Sequence, residues 1–207
     1  MDQSRTWKPT IRSRPSWLTA AVFLLLMPLA LGASGVVPVA RFAAEQIDIA
    51  VEPHAIEVTG YYVYRNPLPF DWRQGLTVPF PEHPGQARPA EVELDTLTGA
   101  CNGAAAPVPS VWLGGQPYLQ INIPAQGSTC LRVRFRQYVA GNSATYLLLT
   151  TRPWLRPLEA GKYTLYPAGV RITGCNYALA GDPPSFARTD FFPAADWTFS
   201  WETQNAE

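Results

Sequence analysis

The chain has 207 residues, enough for one domain plus an anchor or tail, and its 21 prolines and 15 glycines exceed what long helices tolerate. Formal net charge is zero, but residues 1–16 hold Arg5, Lys8, Arg12 and Arg14 against Asp2 alone, which leaves twelve Lys and Arg against fifteen Asp and Glu after residue 40. A mildly acidic body argues against a nucleic-acid binder, and the Pro/Gly content with 12% aromatics argues for short strands broken by turns.

Trp17 through Ala33 is apolar except for Thr19 and follows the basic stretch. This is the layout of an export signal, with Ala30-Leu31-Gly32 and Ala33-Ser34-Gly35 as candidate cleavage sites. Read on through Val39, the apolar run has about 23 residues, where about 20 span a bilayer as a helix. The division is then a basic cytoplasmic region at 1–16, a signal anchor or signal peptide at 17–39, and an exported domain at 40–207. The positive side stays inside. We expect a single-pass inner-membrane protein of a bacterium with its C-terminal domain in the periplasm; secretion after cleavage is the alternative.

Beyond the leader, Arg41 to Gln46 reads as a short helical or irregular neck. Gln46 to Val51 alternates Ile47, Ile49 and Val51 with polar or small residues, a strand. Glu52-Pro53-His54 is a turn, and Ile56 to Tyr64 is a long strand with Gly60 in its middle. A short strand at Leu76 to Phe80 precedes a Pro-rich loop, and Val92 and Leu94 then alternate with Glu91, Glu93 and Asp95. Val111-Trp112-Leu113, a Gly-Gly turn and Tyr118 to Ile123 read as a hairpin.

The stretch from Cys130 to Tyr166 carries the strongest pattern. Leu131, Val133 and Phe135 alternate strictly with Arg132, Arg134 and Arg136; Ala144 to Thr151 is a run of strand formers; Lys162 to Tyr166 is a third run. These predict the antiparallel centre of the domain. Val170 to Thr173 is a short strand, Asp182-Pro183-Pro184 opens a long surface loop, and Asp196 to Glu202 closes with Trp197, Phe199 and Trp201 inward. The whole reads as an all-β antiparallel sandwich of about nine or ten short strands, immunoglobulin-like or jelly-roll-like, behind one N-terminal hydrophobic helix.

Three cysteines are present. In an exported domain they tend to oxidise, and a Cys101–Cys130 bridge with Cys175 left over is expected, worth about 3–4 kcal/mol for a loop of about thirty residues. Cys175 with either of the others is the alternative. There is no Cys-x-x-Cys, and His54 and His83 both sit beside prolines, so no metal or other cofactor is expected.

No nucleophile elbow, phosphate loop, dinucleotide fingerprint or zinc-protease motif occurs. A Cys–His nucleophile would need Cys175 beside His54 or His83. A non-enzymatic accessory or interaction module with a protein partner is therefore expected. Its alternative is a carbohydrate- or anion-binding module that uses Arg132, Arg134 and Arg136 together with the loop aromatics Trp72 and Trp154. The arginines share one strand face at steps of about 6.6–7 Å. As an anion ladder they would meet phosphate or carboxylate; as a solvated face they would pair with the acids Glu91, Glu93 and Asp95, each pair worth about 0.2–1 kcal/mol. Phe70, Trp72, Trp154, Phe191 and Phe192 stand in Pro-rich loops and are the better candidates for an exposed patch. The run from Tyr146 to Leu158, with Arg136-Gln137-Tyr138 before it, is similar to runs in exported bacterial β-domains, a likeness that implies no activity.

Overall fold

The computed structural model describes residues 39–81, 85–98 and 101–204. Residues from Val39 onward belong to one compact unit, separate from Met1–Pro38. The basic segment, the expected apolar helix short of Val39, and His83 lie outside the described residues. Among the described residues no helix is long and apolar enough to cross a membrane.

The second unit is built almost wholly of strands: β1 (Arg41–Glu52), β2 (Ala55–Arg65), β3 (Trp72–Thr77), β4 (Val92–Leu97), β5 (Ala105–Pro107), β6 (Ser110–Leu113), β7 (Gln116–Ile123), β8 (Ser128–Tyr138), β9 (Ser143–Tyr146), β10 (Leu158–Pro167), β11 (Val170–Cys175), β12 (Ser185–Phe191) and β13 (Trp197–Thr203). Seven of them form a large sheet in the order β12-β10-β1-β2-β8-β4-β5. Two three-stranded sheets, β11-β13-β9 and β3-β7-β6, supply the second layer. One hydrophobic core joins the layers: Ile47, Ile49, Val58 and Val133 from the large sheet meet Leu119, Ile121 and Ile123 from one small sheet and Trp197, Phe199 and Trp201 from the other. The fold is all-β and sandwich-like, as alternating apolar strands require when one face must be covered.

Several expectations are corrected. The large sheet is not purely antiparallel, because β1 and β10 run parallel, Ile47 opposite Tyr163. The described residues hold thirteen strands rather than nine or ten, the surplus being short edge strands with little pattern. The three runs of the Cys130–Tyr166 block do not pair with one another. Instead β8 lies between β2 and β4, β9 pairs with β13, and β10 lies between β1 and β12. Each run reads correctly as apolar on one face, but period-two patterning is silent about neighbours.

Local chemistry explains the remaining differences. The Arg41–Gln46 neck is the first half of β1. A bulge between Phe42 and Ala44 shifts its phase, so the inward positions pass from Phe42 to Glu45 and Ile47 and a single alternation cannot be followed across it. The expected strand Ala144–Thr151 stops at Tyr146, and Leu149–Trp154 is a 3₁₀ turn. There the Thr150 and Thr151 hydroxyls donate to the carbonyls of Leu147 and Leu148, and Asp196 Oδ1 accepts from Leu149 N at 2.8 Å. These side chains draw the backbone out of the ladder. Trp72 begins β3 rather than lying in a loop, and β12 occupies part of the expected surface loop, with only Phe186 and Phe191 buried along it.

Candidate functional site

The outer face of the large sheet carries the arginine ladder. Register puts Asp95 directly opposite Arg132 and Glu93 opposite Arg134. Arg132 Nη2 and Nε both donate to Asp95 Oδ2, at 2.7 and 3.2 Å. Arg134 pairs with Glu93, and Arg136 reaches Glu52 at the end of β1, with Nη1 donating to Oε1 at 2.8 Å. The hydrogen bond from Arg136 holds the Glu52 carboxyl below its ordinary range, and the bond to Asp95 holds the Arg132 guanidinium above its own. Every rung thus has a carboxylate supplied by the chain. Glu91 precedes β4 and only borders a recess with Arg134 and Arg136.

Trp72 and Trp154 are not brought to the ladder. Trp72 Nε1 donates to Gln74 Oε1 at 3.2 Å within β3. Trp154 packs on Phe42 and Tyr64, with ring centroids 5.9 and 5.4 Å away.

Beside the ladder the same face is hollowed into an open trough of about 780 Å³. Strand register explains it. One row across β2, β1, β10 and β12 reads Val63, Ala44, Ala160 and Thr189, side chains too short to fill the surface. The next row reads Tyr61, Gln46, Lys162 and Ala187. The Cys101–Cys130 disulfide and Asn102 border one side. Gln46 Nε2 donates to Asp48 Oδ2 at 2.9 Å, while Asp48 Oδ1 is covered and has no hydrogen-bond partner among the described residues. Lys162 is exposed and, among the described residues, pairs with no carboxylate. The trough therefore presents amide, hydroxyl, carboxylate and ammonium groups over a floor of methyls. Such a surface offers hydrogen-bond donors and acceptors of the kind that fix a polar ligand.

The inner face holds a group that the sequence reading passed over. Glu45 points inward and is only 6% exposed. It accepts a hydrogen bond from the Tyr163 hydroxyl. Burial pushes its carboxyl up to about 7 against the lowering effect of that bond. Nearby, the hydroxyls of Tyr62 and Tyr146 lie 2.6 Å apart, and burial holds both well above the usual tyrosine range. Two glycines make room for this cluster. A Cβ at Gly60 would lie 2.3 Å from the Tyr62 hydroxyl, and one at Gly161 would lie 2.6 Å from the Tyr163 hydroxyl. Each tyrosine ring thus lies back over the glycine two residues before it on the same face, an arrangement only the missing side chain allows. The signal was present in the sequence: Glu45 keeps step with Ile47, Ile49 and Val51, an acid on the apolar side of a strand.

Cys175 ends β11, where Trp197 Nε1 donates to its Sγ at 3.1 Å. His54 lies in the β1–β2 turn, its carbonyl accepting from Val139 N, and no hydrogen bond joins it to Cys175 among the described residues. Among the described residues, no cluster of three or more His, Cys, Asp or Glu could hold a metal ion.

No family model matches the chain and no curated protein matches it. Solved structures do. A Legionella pneumophila protein with a provisional designation as a nutrient binding protein is similar at TM-score 0.56 and 12% identity, over 80% of this chain and 68% of that one. The M1 zinc metallopeptidase of Deinococcus radiodurans gives TM-score 0.43 at 11% identity over 79% of this chain and 42% of that one. Native yeast LTA4 hydrolase gives 0.46 at 12% identity over 82% and 30%. The chain spans less than half of either hydrolase, and those two likenesses carry no argument. The Legionella likeness concerns the fold alone.

Proposed function

We propose that this chain is an exported, membrane-tethered, non-enzymatic β-sandwich module that works by binding, through the outer face of its large sheet. The observation that carries the proposal is the contrast on that face between a ladder of arginines each already paired with an acid, Asp95, Glu93 or Glu52, and an adjoining trough whose Lys162 has no carboxylate partner among the described residues. An anion offered to the ladder would have to displace three built-in carboxylates, whereas Lys162 in the trough has none to displace among the described residues. The apolar stretch at 17–39 behind a basic segment supports the tethered location, with the domain on the periplasmic side of the inner membrane. Under this reading the finer architecture is a sandwich of the immunoglobulin or jelly-roll kind, modified by the parallel β1–β10 pair.

A second reading is favoured by the lining of the trough. Tyr61, Gln46, Asn102, Lys162 and Thr189 offer one ring face and both donors and acceptors, the mixture that hydroxyl-rich carbohydrate takes. The carbohydrate-binding alternative accordingly moves from the arginine ladder to the trough.

Site-specific photocrosslinking in intact cells tests the proposal. A photoreactive residue at Gln46 or Lys162 should give a discrete adduct, and one at Glu202, on the far sheet, should give none. Equal labelling from the two faces, or none from the trough, would overturn it. A protein adduct supports the first reading and a glycan adduct the second.

A further inference from the structure

Among the described residues, large apolar side chains are exposed in several places: Val111, Trp112 and Leu113 along β6, Tyr138 and Tyr166 near the ends of β8 and β10, and a further group at the end of the large sheet where β1 begins. Phe70, Leu155 and Phe192 are 49%, 62% and 48% exposed. Phe70 lies beside the end of β2, since its carbonyl accepts from Asn66 Nδ2 at 2.7 Å and the preceding Arg65 is paired with Arg41. Leu155 follows Trp154, whose ring packs on Phe42 near the start of β1. Phe192 lies under the guanidinium of Arg152, 5.7 Å from its ring centre, and Arg152 Nε donates to the Pro193 carbonyl at 3.1 Å. All three therefore flank the end of the large sheet at which β1 begins. Exposed apolar residues scattered singly are ordinary; three at one end, with cations between them, are not.

The cations there differ from those of the ladder. Among the described residues, Arg152 hydrogen-bonds only to backbone carbonyls, of Pro193 and Ala194. Arg156 is exposed and, among the described residues, has no carboxylate partner. The acids of this end are Glu159, which bridges Arg41 and Arg65, Asp71 and Asp196, which accept from backbone N–H groups and keep their charge, and the exposed Asp190. Guanidinium groups without a direct carboxylate partner among the described residues, flanking Leu155 beside a phenyl ring, match a lipid interface, where phosphates meet acyl chains.

We propose that this rim docks on a membrane surface bearing anionic headgroups, with Leu155, Phe192 and Phe70 entering the interface and Arg152 and Arg156 meeting lipid phosphates. The proposal rests on the tethered reading, under which the apolar stretch ends at Val39, two residues before β1 begins at Arg41. That short connection keeps lipid within reach of this end of the sheet. The rim would hold the domain in one orientation, with its trough presented to the side.

The full chain is inserted into nanodiscs of phosphatidylcholine alone or mixed with phosphatidylglycerol, and amide exchange is followed over residues 148–158 and 190–194. Slower exchange in the anionic discs is expected, abolished in Arg152→Glu/Arg156→Glu and retained in Arg134→Glu. Equal exchange in both discs, or protection that grows with protein concentration and needs no lipid, would overturn the proposal, the latter by making the occupant a second copy. Alkaline carbonate extraction tests the tether separately. If the chain is released, the same protein is floated with vesicles of the two compositions. Flotation with anionic vesicles only, weakened at least roughly thirtyfold by the double charge reversal, would support the rim while the tether fell. No flotation would remove both.

Discussion

The two faces of the seven-stranded sheet treat charge in opposite ways. On the outer face Arg132, Arg134 and Arg136 alternate with hydrophobic residues and each meets an acid from a neighbouring strand. On the inner face a lone acid, Glu45, is sealed among tyrosines and has one hydroxyl donor and no cation. Water screens the first arrangement, so its contribution per pair is small. Nothing screens the second, so the protonation of one carboxyl is coupled to the stability of the domain. The conspicuous pattern thus carries little energy, and the inconspicuous residue carries much.

The comparison is broken most severely at Tyr163. Its ring stacks on Phe186 at 4.4 Å and meets Trp197 edge-on at 5.7 Å, while its hydroxyl serves Glu45. Tyr163→Ala would open a cavity and leave the acid without a donor. A loss of about 4–5 kcal/mol is expected from denaturant unfolding; a loss below about 1 kcal/mol would mean that the inner cluster is dispensable.

Next comes pH. Because the folded-state value of Glu45 lies above its ordinary 4.5, at about 7, the folded state binds the proton more tightly than the unfolded state. This contribution is fully present below about pH 4.5 and is lost as pH rises to 7 and beyond, up to about 3 kcal/mol at roughly 1.4 kcal/mol per unit. Unfolding midpoints measured at pH 5 and pH 8 should differ in that direction, and Glu45→Gln should flatten the difference. An unchanged slope in the variant would assign the pH dependence to other groups.

Gly60→Ala and Gly161→Ala sharpen the point on a smaller scale. Each adds one methyl where a tyrosine already lies. A cost of about 2 kcal/mol each follows from overpacking, accompanied by a change in the near-ultraviolet tyrosine signal. A neutral result would show that the rings swing aside.

The smallest effect belongs to the most visible motif. Arg134→Ala or Glu93→Ala, on the exposed rung, should cost less than about 1 kcal/mol and fade in high salt. A larger, salt-insensitive cost would remove the distinction between the two faces.

Much of this was legible from residues in order. The strict alternation of β8, the hairpin of β6 and β7 around Gly114-Gly115, and the inward Trp197, Phe199 and Trp201 of β13 follow from a side chain pointing to opposite faces at every step. The same rule placed three arginines on one face. Facing and pairing are different matters, however. That Arg136 meets Glu52 from 84 positions away, that β1 lies parallel to β10, and that the row from Val63 through Ala44 and Ala160 to Thr189 makes a trough all depend on which strands become neighbours. Long-range register decides that, and no local period encodes it. Glu45 shows the limit most plainly: its phase in β1 was written in the chain, but only the packing of the small-sheet layer, Tyr146 and Trp197 included, against Tyr62 and Tyr163 took the water from around it.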